Sequence, residues 1–131
     1  MLNIFGTGLG GALGAAGRYY FSIIFNGDGF PTGTLLANVF GSFLLGILIG
    51  YKSKKHVDRW IYNSVGTGLL GGFTTMSAFA GEAVSLGGEF AGTAVLYISI
   101  SLAAGIFSAF FGYAAGERAA ERNVGEAEGG S

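Results

Sequence analysis

The sequence predicts an all-α membrane protein with four transmembrane helices, and three observations carry that reading. Hydrophobic residues make up 50% of the 131-residue chain and charged residues only 11%, whereas ordinary soluble domains carry about 25% charged residues. The charges are segregated: residues 1–17, 29–51, 60–81 and 90–116 contain no Asp, Glu, Lys or Arg. These windows are close to the roughly 20 residues that a helix needs to cross the hydrocarbon core. The 26 glycines dilute the hydropathy, yet glycine is frequent in membrane helices and carries no charge.

The first window lacks a basic n-region and runs into Arg18 instead of a cleavage site, so it reads as a span and not as a signal peptide. Residues 26–32 form a turn, with Pro31 placed to begin the second helix. Lys52-Ser53-Lys54-Lys55-His56-Val57-Asp58-Arg59 is a solvated basic loop, and residues 85–90 hold a glycine-containing turn. The spans are expected at about 2–25, 33–51, 61–85 and 91–116, forming one transmembrane domain over 1–116. A charged, amphipathic tail follows at 117–131, with a frayed Gly-Gly-Ser end.

Four crossings put the N-terminus, the 52–59 loop and the tail on one side. That side carries Lys52, Lys54, Lys55, Arg59, Arg118 and Arg122, whereas the other carries only Arg18. The positive-inside rule therefore places both termini in the cytoplasm, as expected of a multi-pass protein of the cell membrane. A net charge of −1 speaks against a nucleic-acid binder. Without cysteine there is no disulfide, thiolate metal site or Cys nucleophile. The single histidine, His56, lies in the basic loop with no catalytic constellation nearby, so no enzyme is expected.

Glycines spaced by four recur at Gly6, Gly10 and Gly14, at Gly46 and Gly50, at Gly68 and Gly72, and at Gly112 and Gly116. Such ridges let membrane helices approach backbone to backbone. Two stretches, Gly6 to Gly11 and Gly66 to Gly71, also satisfy the spacing of a dinucleotide-binding turn. Neither has the strand and βαβ unit that this function requires, so both are read as packing segments. They echo each other as a weak internal repeat.

Four polar features interrupt the apolar pattern. Gly68-Leu69-Leu70-Gly71-Gly72-Phe73-Thr74-Thr75-Met76-Ser77-Ala78-Phe79 combines paired Gly with paired Thr, a poor continuous helix. It is either a true break whose freed backbone groups face protein, water or an ion, or a helix with Ser and Thr bonding back to its own carbonyls. Asn38, in the middle of the second span, is interhelical glue or a donor lining a polar path. Arg18 snorkels to the interface or makes a vestibule electropositive. Glu82 is a proton-relay carboxylate or a group that caps or pairs near a helix end.

The chain resembles the CrcB/Fluc fluoride channel family, in order and spacing. The matching segments are Gly10-Gly11-Ala12-Leu13-Gly14-Ala15-Ala16-Gly17-Arg18-Tyr19, Pro31 to Phe43 around Asn38, Gly71 to Phe79, and Tyr97 to Ser101. The resemblance implies a four-helix subunit that pairs antiparallel, carries two fluoride pores and exports fluoride passively. It implies that Asn38 donates to the ion and that the ring edge of Phe79 faces it. It also implies a polar track including Thr75, Ser77, Tyr97 and Ser101, a vestibule arginine at Arg18, and a structural sodium ion at the dimer interface on the Gly71 and Thr74 carbonyls. Met76 departs from the family pattern, which has Phe there, and Ala78 stands where Thr is usual.

The chemistry fits those roles. Fluoride is small and strongly hydrated, so a pore must replace its water with donors such as an amide or hydroxyls. A ring edge attracts an anion without holding it tightly, and weak multi-site contact permits flux. Carbonyl oxygens suit a hard cation. One chain offers two of them, and a twofold antiparallel pair would offer four. A side chain at Gly71 is expected to crowd the turn. The competing classes are a small dual-topology proton-coupled exporter, which would want an acidic residue deep in a span, and a non-transporting assembly subunit. The partner is a second identical chain or a related one: the strong charge bias and Met76 suit a heterodimer, and tolerance of both suits a homodimer.

Overall fold

The computed structural model describes residues 1–27 and 29–129. These fold into helices: α1 (Leu2–Phe25), α2 (Thr32–Lys54), α3 (Arg59–Tyr62), a π-wound stretch (Asn63–Leu70), α4 (Gly71–Phe73), α5 (Met76–Glu89) and α6 (Ala91–Gly129). An isolated antiparallel bridge joins Gly27 to Phe30 in the first connector. Pro31 sits at the N-cap of α2, where its missing N–H is no loss. Asn26 accepts the Gly33 N–H through Oδ1 at 2.7 Å, and Gly29 takes φ 101°, a conformation that favours glycine.

The third window is interrupted. Elements α3, the π stretch and α4 run on as one rod over residues 59–73. Thr74 (φ −78°, ψ 151°) and Thr75 (φ −145°, ψ 124°) are then extended, and α5 resumes at Met76. Of the two readings open from the sequence, the true break is the one observed. The π winding was not expected. Within the rod, the Gly71 N–H reaches back to the carbonyl of Gly66, five residues earlier.

Glycine ridges account for the packing. On α1, a Cβ at Gly10 would lie 2.9 Å from the Leu69 nitrogen, and one at Gly14 would lie 2.8 Å from that of Phe73. From the facing rod, a Cβ at Gly68 would come within 2.6 Å of the Thr7 carbonyl, and one at Gly72 within 2.5 Å of that of Gly11. The two echoing glycine segments thus pack on each other, which explains the repeat. Helices α2 and α6 interlock in the same way: a Cβ at Gly46 would lie 2.9 Å from the Tyr113 nitrogen, and one at Gly116 2.8 Å from that of Tyr51.

Thr32–Lys54 and Ala91–Glu126 are long and apolar enough to cross a bilayer. Helix α6 has 39 residues, about 58 Å at 1.5 Å per residue, against a hydrocarbon core of about 30 Å. Its distal part carries the expected amphipathic tail as regular helix as far as Gly129, and most of the Gly-Gly-Ser end expected to fray, residues 130–131, lies outside the described range. Ala114, Ala115, Ala119 and Ala120 are strong helix formers, and Ala120 is fully buried. Lys54 Nζ meets Glu121 at 3.5 Å and Glu117 at 3.7 Å, joining this extension to the end of α2.

Candidate functional site

Asn38 projects from α2 onto the break. Its Nδ2 donates to the Thr75 carbonyl at 3.0 Å, and its Oδ1 accepts the Thr75 N–H at 2.8 Å. In an uninterrupted helix that N–H would bond the carbonyl of Gly71. The Thr75 hydroxyl caps α5 by accepting the Ala78 N–H at 3.2 Å, a bond that would otherwise go to the carbonyl of Thr74. Thr74 itself is anchored backwards, its N–H and hydroxyl both donating to the Leu70 carbonyl at 3.0 and 3.1 Å.

Opposite helix ends therefore meet at the break. The rod over residues 59–73 ends there with freed carbonyls and the negative end of its dipole. Helix α5 begins there with the first-turn N–H groups of Met76 and Ser77, which have no acceptor within the helix, and the positive end of its dipole. Broken helices of this kind can offer carbonyls to a cation and amides to an anion.

A cleft of about 420 Å³ lies beside the break. Asn38, Thr74, Thr75, Met76, Phe79 and Ser101 all line it, which brings together most of the residues singled out in the sequence. The Ser101 hydroxyl is buried without a hydrogen-bond partner among the described residues. Ser77 stands beside this group, 3.3 Å from the Thr75 hydroxyl. Met76 is 73% exposed, projecting from the chain at the first turn of α5. Gly71 is exposed, and a Cβ there would meet only the Gly66 carbonyl at 3.6 Å, an ordinary contact. The expected crowding at Gly71 is thus absent within the chain, because that residue lies on the open side of the rod. Arg18 is partly buried on α1, and its Nε is unpaired among the described residues.

A second polar group adjoins the cleft through Phe79. Its ring packs on Tyr97 with centroids 5.3 Å apart, and Tyr97 is completely buried. The Tyr97 hydroxyl donates to Glu82 Oε2 at 2.8 Å, and the Thr34 hydroxyl donates to Glu82 Oε1 at 2.7 Å. Glu82 is therefore a paired carboxylate, held by one hydroxyl on each oxygen. Thr34 escaped the sequence reading. The signal was there: Thr34, Asn38 and Ser42 recur every four residues and share one face of α2.

These features define an all-α membrane protein built around an interrupted helix. The family described as CrcB-like protein, Camphor Resistance (CrcB), matches residues 5–113. The fluoride-specific ion channel FluC 2 of Halalkalibacterium halodurans is 36% identical over 127 residues, spanning 97% of this chain and 95% of the relative. The FluC 2 protein of Bacillus subtilis is 42% identical over 112 residues, 86% of each chain. The FluC 1 protein of Bacillus cereus is 36% identical over 127 residues, 93% of each chain. The chain belongs to the CrcB family, a family of ion channels and not of enzymes.

Proposed function

We propose that this chain is a subunit of a fluoride-selective channel that lowers cytoplasmic fluoride by passive export. The observation that carries this reading is the two-way closure of Asn38 on Thr75, which holds a helix break open beside a cleft. The names of the relatives supply the ion.

Fluoride entering the cleft would exchange water for the second N–H of Asn38, the hydroxyls of Thr75, Ser77 and Ser101, and the positive edge of Phe79. The positive end of the α5 dipole favours the anion without a fixed cation that would trap it. Tyr97 carries the polar track on toward Thr34 and Glu82, and Arg18 attracts anions into the vestibule. The Gly71 and Thr74 carbonyls suit a sodium ion by their hard, neutral oxygens. When bound, that ion would supply positive charge that ties the rod's end in place.

Four spans, the last three being α2, the interrupted third window and α6, would place both termini in the cytoplasm of a multi-pass plasma-membrane protein. The unit would be an antiparallel dimer, which brings four carbonyls to one axis. The six-to-one bias of cations favours a fixed orientation. A fixed chain needs a related, oppositely inserted partner, and the paired names FluC 1 and FluC 2 among the relatives agree with that. The exposed Met76 would then meet a partner that contributes the aromatic this chain lacks.

Growth of a host without fluoride exporters tests the reading. The wild type, with its partner where one is needed, should restore growth in fluoride medium, and Asn38→Leu should not. Equal growth of both strains would contradict it.

A further inference from the structure

We infer that the side chains of Asn38 and Thr75 are positioning residues that keep the Gly71 and Thr74 carbonyls free for a hard cation. The inference rests on the sodium reading above and deepens it. A helix gives each carbonyl one natural partner, the N–H four residues on. For Gly71 that partner is Thr75 N–H, which Asn38 Oδ1 takes at 2.8 Å. For Thr74 it is Ala78 N–H, which Thr75 Oγ1 takes at 3.2 Å. Each candidate ligand therefore loses its competitor to one identified side chain.

The fit extends beyond the count of free carbonyls. Both carbonyls lie at the C-terminal end of the rod, where the helix dipole is negative. Gly71 is exposed, with no side chain of its own to cover its oxygen. Thr74 is held in the extended conformation that ends the rod, its N–H and hydroxyl both turned back to Leu70. Without the side-chain acceptors, the N–H groups of Thr75 and Ala78 would be left without partners at membrane depth and would recapture these carbonyls.

Asn38 consequently serves both ions with different atoms. Its oxygen keeps a carbonyl free for the cation, and its nitrogen carries the donor that lines the cleft. A variant that keeps the oxygen and loses the N–H donor should separate the two roles, as Asn38→Asp does with its carboxylate ionised.

The test is the melting temperature of the purified full-length protein, assembled with its partner where one is needed. It is measured in detergent with sodium chloride and with N-methylglucamine chloride at equal ionic strength. The wild type should melt higher in sodium. Thr75→Ser, which keeps the hydroxyl, and Asn38→Asp should retain that rise, although Asn38→Asp should lose fluoride efflux. Thr75→Val and Asn38→Leu should lose more than half of it. Should those two fail to fold, Ala78→Pro removes the competing N–H in a first turn that tolerates proline. Its sodium rise should equal or exceed that of the wild type, and loss of the rise there would overturn the proposal. A full rise in both Thr75→Val and Asn38→Leu would overturn the positioning role and leave the cation site standing. No rise in the wild type would overturn both.

Discussion

The side-chain amide of Asn38 substitutes for a turn of helix at Thr75, accepting its N–H at 2.8 Å and donating to its carbonyl at 3.0 Å. One residue on α2 thereby satisfies both backbone groups of a residue in the break between the rod and α5. Asn38→Ala should leave both unpaired and destabilise the protein by about 1–3 kcal/mol for each group that finds no new partner. Unfolding in mild detergent measures this. A loss well below 1 kcal/mol would mean that the break is held elsewhere.

Glycine substitutions should divide sharply by position. Gly14→Ala would press on the backbone of Phe73, whose nitrogen would lie 2.8 Å from the new carbon, and Gly46→Ala would press on Tyr113 at 2.9 Å. Each is expected to destabilise by about 1–3 kcal/mol, the usual cost of overpacking. Gly8→Ala and Gly81→Ala meet nothing within 4 Å and should be close to neutral in stability. Melting temperatures of the four variants check the division.

Tyr97 and Thr34 hold opposite oxygens of one carboxylate, which makes their effects interdependent. Glu82→Gln leaves one of the two hydroxyls facing an NH₂ group that cannot accept from it. Tyr97→Phe removes one donor but keeps the ring contacts with Phe79 and Phe30. The double variant should therefore be less destabilised than the sum of the singles, with a coupling of about 0.5–3 kcal/mol, the range for residues in one network. Strict additivity would contradict the pairing.

Orientation should be single. A tag after residue 131 should be labelled from the cytoplasmic side only, because Lys52, Lys54, Lys55, Arg59, Arg118 and Arg122 gather there. Neutralising the three loop lysines should produce a mixed population. Substantial labelling of the wild type from both faces would favour the homodimer.

Much of this architecture was legible in the sequence, for identifiable reasons. Charge-free windows locate the helices because lipid tolerates few charges, and the glycine ridges mark the two close interfaces because only glycine fits there. The Gly-Gly-Phe-Thr-Thr run left a break and a continuous helix both open, since Gly and Thr merely disfavour helix, and the extended Thr74 and Thr75 decide for the break. The π winding was not legible: no local residue pattern in Asn63–Leu70 marks it. Nor was the direction in which Asn38 faces. A lone amide in a span fits a bonded glue or an ion donor equally well, and only the position of Thr75 decides what its oxygen holds. The amphipathic tail was legible, but not that it continues α6 without interruption and buries Ala120. Thr34 was missed because it was read singly and not as part of the stripe with Asn38 and Ser42.

Ion efflux from liposomes containing the purified protein, with its partner chain where one is needed, tests the central claim most directly. Fluoride and chloride are loaded together, and an ion-selective electrode follows each after the membrane potential is clamped. Fluoride should leave without ATP or a proton gradient, chloride should stay behind, and Asn38→Leu should abolish the fluoride signal. Chloride leaving as fast as fluoride, or fluoride leaving only when a proton gradient is imposed, would contradict a passive fluoride-selective channel.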